Sequence, residues 1–361
     1  MALYMKKSTT IVGHLKSKMA FMASPQRGFW SSSNPHFYRN AQYQPNFSNL
    51  SNIRRFESTI AQNRLSSVCA DENQYREPGV LLWRGFTLQE FANQCFSNKY
   101  DNGKGRQMPI HYGSNQLNYV TVASTIASQL PHAVGAAYSL KMDKKDACVV
   151  TYFGDGGSSE GDFHAALNFS AVMEAPVIFI CRNNGWAIST PTSDQFRSDG
   201  IVVRGQAYGV RSIRVDGNDA LAVYTAVKAA RQMAVSEQRP VLIEALTYRV
   251  GHHSTSDDST KYRPANEIEL WRLARDPVAR FRKWIEINGW WHCEAESELR
   301  NSVRQQLLQA IQVAEKEEKP PLAEIFSDVY DVPPSNLREQ EKWLRETIKK
   351  HPQDYPANVS L

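Results

Sequence analysis

The chain has 361 residues, 42% hydrophobic and 11% aromatic, with 42 Lys and Arg against 37 Asp and Glu. This is enough apolar matter for one large core or two ordinary ones, which excludes a mostly disordered chain. No stretch has the length of a bilayer-spanning apolar helix, which excludes an integral helical membrane protein.

Residues 1–56 carry eight bases and no acid; the first acid is Glu57. Taking those eight from the 42 bases leaves 34 against 37 acids, so the basic balance belongs to the leader and a nucleic-acid binder is not expected. The leader is also Ser-rich, and Lys16 and Lys18 interrupt the only apolar patch that could serve as a secretory signal. This is the composition of an organellar transit peptide. A mitochondrial matrix is the expected address, with a plastid as the alternative. Processing is expected near Arg54-Arg55-Phe56, with 57–73 as a linker. The five cysteines are scattered, odd in number and without a C-x-x-C pair, which excludes a disulfide framework and a zinc ribbon.

From Gly79 the text becomes globular. Cys148 to Phe153 (CVVTYF) and Pro176 to Cys181 (PVIFIC) are short continuous apolar runs, the pattern of strands buried on both faces of a parallel sheet. Ser159 to Glu174 between them is Ala-rich and helical. A second step follows: a strand over Val210 to Val215, a helix over Ala220 to Val235 and a strand over Pro240 to Thr247. Such alternation predicts a doubly wound, mainly parallel α/β domain with its ligand at the carboxyl ends of the strands. Beyond Ala265 the pattern is helical and charged, and Glu296 to Lys316 is the clearest amphipathic helix. The expected division is an α/β domain over 74–290 and a helical extension over 291–361.

The loop Gly154-Asp155-Gly156-Gly157-Ser158-Ser159-Glu160-Gly161 leaves the first strand and enters a helix. It fits neither G-x-G-x-x-G, because position 159 is Ser, nor a P-loop, because Asp162 stands where Lys is required. A Gly-rich turn at a helix start still offers backbone N–H groups to a phosphate. Asp155 inside it would repel that phosphate unless a divalent cation sat between them, which points to Mg²⁺. The next strand ends in Arg182-Asn183-Asn184-Gly185-Trp186 and lies beside the first in a parallel sheet. Asp155, Asn184 and the carbonyl of Trp186 then supply hard oxygen ligands, and Arg182 a charged donor for a diphosphate. Taken alone, Gly-Asp-Gly is more often just a turn, and a turn is also the alternative for Asn-Asn-Gly.

Gly-Asp-Gly, an interval of 26 residues and Asn-Asn at the end of an apolar strand resemble the thiamine-diphosphate fingerprint. Gln74-Tyr75-Arg76-Glu77, the segment Gly103 to Pro109 (GKGRQMP) and Gly251 to Asp258 (GHHSTSDD) sharpen the resemblance. Together they look like the alpha subunit of the branched-chain 2-oxo acid dehydrogenase decarboxylase component, plant members being nearest in wording. The match runs from Gln74 to about Tyr355. The pyruvate dehydrogenase alpha subunit is similar, but its loop carries a single His where this chain has His252-His253. Pyruvate is the alternative substrate.

The resemblance implies roles. Tyr75, Arg76, Ser124 and Arg182 would contact the diphosphate of thiamine diphosphate, with backbone from Gly156 and Gly157. Asp155, Asn184 and Trp186 would hold Mg²⁺. Ala123, Thr125, Ser128 and Gln129 would line a K⁺ site. His253 is the family's residue near the reacting carbon, touching the cofactor and assisting acyl transfer to a lipoyl group; an imidazole can carry a proton near pH 7. Read from its residues alone, the HHSTSDD loop could instead be a metal site or simply solvated.

The implied reaction is oxidative decarboxylation of branched-chain 2-oxo acids, the cofactor supplying the carbanion and electron sink. The implied partners are a beta subunit in an alpha2–beta2 heterotetramer, which brings the acid against the aminopyrimidine, and a lipoyl-bearing transacylase. A kinase and a phosphatase acting on Ser254 are implied too. The second phosphorylatable position of animal members is Pro264 here, so one such site is expected. The helical region that family members carry ahead of Gln74 has no counterpart in this text. A truncated variant that binds the beta subunit without turnover is therefore the alternative to a working subunit.

Overall fold

A computed structural model describes residues 66–67, 77–355 and 359 of the chain. The expected leader, the expected positions Tyr75 and Arg76, and most of the expected linker lie outside the described residues. A five-stranded sheet forms the centre, with order β1 (Ser66–Ser67), β2 (Val149–Gly154), β3 (Val177–Asn183), β7 (Val241–Leu246) and β6 (Arg211–Asp216). Every pairing in it is parallel. Strand pair β4 (Trp186–Ala187) and β5 (Thr190–Pro191) is a small antiparallel hairpin just beyond β3.

The continuous apolar runs form central strands because a parallel sheet is covered on both faces. On one face Val149, Phe153, Val177, Phe179 and Cys181 pack against helices α3 (Gln129–Met142) and α4 (Gly161–Val172). Ile201 and Leu242 join this core. On the other face Val150, Ile178, Ile180, Val241 and Ile243 pack against Ala230 and Ala234 of α7 (Ala220–Glu237). Successive residues of β2 and β3 thus alternate between two cores, as the period of two demands. Asp219 opens α7 by accepting N–H bonds from Leu221 and Ala222, both at 3.0 Å. The doubly wound α/β class expected from the pattern is the observed fold.

Two short helices lie between β1 and β2 in the chain, α1 (Pro78–Arg84) and α2 (Leu88–Phe96). A capping box between Thr87 and Glu90 starts the second. Two more follow β5, α5 (Thr192–Gln195) and α6 (Val202–Ala207). Beyond β7 come α8 (Ala265–Ala274), α9 (Pro277–Ile287), α10 (Cys293–Lys316) and α11 (Ser335–Lys350). The amphipathic helix expected from Glu296 starts three residues earlier, where His292 caps it. It folds back onto the early part of the chain. Ala310 and Ala314 bury against Ala92, and their carbonyls accept from Gln89 at 3.2 Å and Asn98 at 3.1 Å.

Ser66–Ser67, inside the expected linker, adds the edge strand beside Val149 and Val150. Two residues are too few to carry an alternation. Among the described residues no helix is long and apolar enough to cross a membrane.

Candidate functional site at the strand ends

Because β2, β3 and β7 run parallel, their last residues come side by side. Gly154 pairs with Arg182, and Asn183 pairs with Leu246. Three polar segments leave the sheet at this one edge: the Gly-Asp-Gly turn, the Asn-Asn turn and the segment after β7 that begins Thr247-Tyr248-Arg249. In a parallel sheet this carboxyl edge is where ligands bind.

Asp155 and Asn184 meet there, as the sequence predicts. Asp155 is 1% exposed and Asn184 4%. The Asp155 Oδ1 accepts the Asn184 backbone N–H at 3.2 Å, and the Asn184 Oδ1 accepts the Trp186 N–H at 3.2 Å. Burial pushes the Asp155 carboxyl above its ordinary range; the bonds it accepts from Gln195 and Asn184, and the charge of Arg249, pull the other way. A buried carboxylate with no full counter-charge is costly to hold ionised.

Gln195, which sequence reasoning missed, completes this group. Its Nε2 donates to Asp155 Oδ2 at 2.8 Å and to the Thr190 carbonyl at 3.1 Å, and its Oε1 is buried without a hydrogen-bond partner. An orphaned buried oxygen beside a desolvated carboxylate and an amide oxygen is the donor set of a hard divalent cation. The residues present fit Mg²⁺. The Trp186 carbonyl accepts Arg249 Nη1 at 3.2 Å, so any role as a ligand is shared with that bond.

A single 3-10 turn over Gly156–Ser159 carries the expected phosphate-facing backbone. Ser158 closes it, donating from N at 3.1 Å and from Oγ at 2.7 Å to the Asp155 carbonyl. Arg204 on α6 braces it with a 2.6 Å bond to the Ser158 carbonyl. Arg182 pairs with Glu77 across 2.5 Å, a partner sequence reasoning missed. Burial raises the Glu77 carboxyl, against the pull of Arg182. Ser124 Oγ is hydrogen bonded to Nε2 of the buried His111.

The expected K⁺ positions adjoin the start of α3. Ser128 Oγ donates to the Thr125 carbonyl at 2.9 Å, and Gln129 Nε2 to the Thr121 carbonyl at 3.1 Å. The Gln129 Oε1 is buried without a partner, an oxygen that suits a monovalent cation. Ala123 adds no side-chain donor, only a carbonyl.

The histidine loop is built differently. His253 donates its backbone N–H to Asp257 Oδ2 at 2.8 Å, and Tyr262 donates its hydroxyl to the same oxygen at 2.7 Å. Arg249 Nη2 donates to the Tyr262 hydroxyl at 2.8 Å and to the Ile188 carbonyl at 2.6 Å. A chain of bonds therefore runs from the Trp186 carbonyl through Arg249, Tyr262 and Asp257 to the His253 backbone. Arg263, 2% exposed, holds the loop from below by donating to the Arg249 and Gly251 carbonyls. Ser254 is exposed, with its Oγ 3.2 Å from that of Ser256. Among the described residues no three His, Cys, Asp or Glu side chains gather as a metal-binding group. His252 and His253 thus form no metal site of that kind with the acids beside them.

The model of one family, the dehydrogenase E1 component, matches residues 58–323. The chain belongs to that family. Its members depend on thiamine diphosphate. Over 288 residues the chain is 77% identical to the mitochondrial 2-oxoisovalerate dehydrogenase subunit alpha 2 of Arabidopsis thaliana, covering 80% of this chain and 61% of that one. It is 52% identical over 286 residues to the mitochondrial alpha subunit of the same name from Dictyostelium discoideum, covering 79% and 65%. The Mus musculus subunit is 50% identical over 285 residues, covering 79% and 64%. The chain thus spans about three fifths of the length of these curated relatives.

Proposed function

We infer that this chain acts as the alpha subunit of a mitochondrial branched-chain 2-oxo acid dehydrogenase, oxidatively decarboxylating acids such as 3-methyl-2-oxobutanoate. The observation that carries the reading is the buried oxygen group of Asp155, Asn184 and Gln195 at the strand ends of a thiamine-diphosphate family member. The names of the relatives support the substrate class and a mitochondrial address, which we take to be the matrix.

Bound thiamine diphosphate supplies the carbanion and the electron sink that decarboxylation of a 2-oxo acid requires. In this reading Asp155 and Asn184 hold Mg²⁺, and Gln195 fixes the carboxylate that faces the cation. Arg182, Ser124, Tyr75 and Arg76 receive the diphosphate, with backbone from Gly156 and Gly157. The Glu77 pairing keeps Arg182 oriented until it does so. Gln129 and its neighbours take K⁺. His253 holds or releases a proton beside the reacting carbon, at a position set by the Asp257 bond to its backbone. The beta subunit brings the acid that faces the aminopyrimidine, and the acyl group leaves on a lipoyl arm of the transacylase. A phosphate on Ser254 would add roughly two negative charges beside Asp257 and Asp258 and repel an acidic lipoyl partner.

The test is co-expression of the chain with a branched-chain beta subunit, followed by carbon dioxide release from 3-methyl-2-oxobutanoate, with pyruvate in parallel. The expected outcome is thiamine-diphosphate-dependent release from the branched acid that Asp155→Ala abolishes. Preference for pyruvate would reassign the substrate. A soluble complex with no turnover on either acid would make the chain a binding variant.

A further inference from the structure

Glu244 lies in the middle of β7, in an otherwise apolar strand, and is 0% exposed. A carboxylate without solvent survives only where several donors compensate it. Four do so here. Ile201 and Val202 donate their backbone N–H groups to Oε1 and Oε2, each at 3.0 Å, Asn183 Nδ2 donates to Oε1 at 2.8 Å and Arg214 Nε to Oε2 at 3.2 Å. The chain makes room for it. Gly200 has φ +71°, and a Cβ there would sit 2.7 Å from both Glu244 carboxylate oxygens.

Three of these donors come from the two segments that bound the cation-facing pole; the fourth, Arg214, is on β6. Asn183 immediately precedes Asn184, and its Oδ1 accepts the Gly185 N–H at 3.1 Å, so the residue that Glu244 grips also shapes the Asn-Asn turn. Ile201 and Val202 start α6, whose Arg204 reaches the Ser158 carbonyl in the turn after Asp155. The segment just before α6 carries Gln195, the partner of Asp155 Oδ2. Glu244 is therefore one residue away from Asn184 through Asn183, and it reaches the turn after Asp155 through α6 and Arg204, while Gln195 lies upstream on α5 in the segment that leads into Ile201.

We propose that Glu244 is a positioning residue that fixes the Asn184–Trp186 turn and the α6 segment against each other, setting the geometry in which Asp155, Asn184 and Gln195 face a divalent cation. The positioning rests on contacts in the chain itself; only the effect on the cation rests on the functional reading above.

The test, made in the complex with a branched-chain beta subunit, compares the full chain with Glu244→Gln and Asn183→Ala by amide hydrogen exchange and by binding of Mn²⁺ in the presence of thiamine diphosphate. Glu244→Gln should lower protection of the Asn184 and Trp186 amides together with Ile201 and Val202, leaving the centre of β2 unchanged. Asn183→Ala should lower the first pair and spare the second. Both should weaken Mn²⁺ roughly tenfold, the smaller end of what supporting residues of a metal site cost. Unchanged protection at Asn184 and Trp186 in both variants would overturn the proposal, as would loss confined to Ile201 and Val202 in Glu244→Gln. If Glu244→Gln does not fold, Asn183→Ala alone decides, and unaltered protection and Mn²⁺ affinity there would contradict it. Should the unsubstituted chain bind no Mn²⁺, the metal reading fails while the exchange pattern still decides the positioning.

Discussion

The strand-end pole and the histidine loop are two polar regions secured in opposite ways. At the pole Asp155 is buried and its carboxyl is pushed up by loss of water. In the loop Asp257 is held below its ordinary range, first by the His253 backbone N–H and then by the Tyr262 hydroxyl. Asp155 is buried with neutral donors on its two oxygens and only the charge of Arg249 nearby, and so fits a cation; Asp257 is half-buried, takes the His253 and Tyr262 donors on one oxygen, and serves as a strut. The difference separates a site poised to take a ligand from a loop that shapes itself.

The largest effect should come from taking an oxygen out of the pole. Asn184→Leu keeps the turn's bulk but removes the Oδ1, and turnover in the complex with a beta subunit should fall to background while the chain stays folded by circular dichroism. Retained turnover would remove Asn184 from the cation group.

Next is the base of the loop. Arg263→Met preserves much of the side chain's volume but leaves the Arg249 and Gly251 carbonyls without their donor. Urea unfolding should show a loss of roughly 1–3 kcal/mol, the cost of the buried Arg249 carbonyl left unsatisfied. A loss below about 0.5 kcal/mol, the scale of surface substitutions, would mean that the loop does not depend on it.

A smaller change is Tyr262→Phe, which cuts the chain between Arg249 and Asp257. The His253 amide should exchange faster, with the Asn184 amide unaffected. Equal acceleration at both would show that the two regions form one cooperative unit.

The smallest is a pH effect. The Asp257 carboxyl is depressed in the folded chain, so its contribution is complete above the unfolded carboxylate range and is lost as pH falls through the folded value. Protection of the His253 amide should therefore hold at neutral pH and decline only below about pH 4. A decline already under way at pH 6 would contradict the assignment of Asp257 as the strut.

Much of this was legible in the sequence because the strands are buried on both faces and so read as unbroken apolar runs. Their polar tips, Gly154-Asp155-Gly156 and Asn183-Asn184, stood out against that background. The parallel register does the rest, bringing the tips together. Gln195 was not legible, since it lies on a one-turn helix behind a two-residue hairpin, where no periodicity exists. Arg263 carried no signal of its own in the sequence and is among the largest fully buried side chains. Glu244 did leave a signal: an acid inside VLIEAL must find donors if the strand is buried. Glu77 stood out only as part of the Gln74–Glu77 motif; its pairing with Arg182, and that of His111 with Ser124, were not legible, because the partners are far along the chain.

The central claim is that the strand-end pole holds a divalent cation against a diphosphate. It is tested most directly by calorimetric titration of thiamine diphosphate into the complex with a beta subunit, with Mg²⁺ present and withheld, for the unsubstituted chain and for Asp155→Ala. The account predicts saturation that requires Mg²⁺ and disappears in the variant. Saturation that is indifferent to Mg²⁺, or that survives loss of the Asp155 carboxylate, would contradict it.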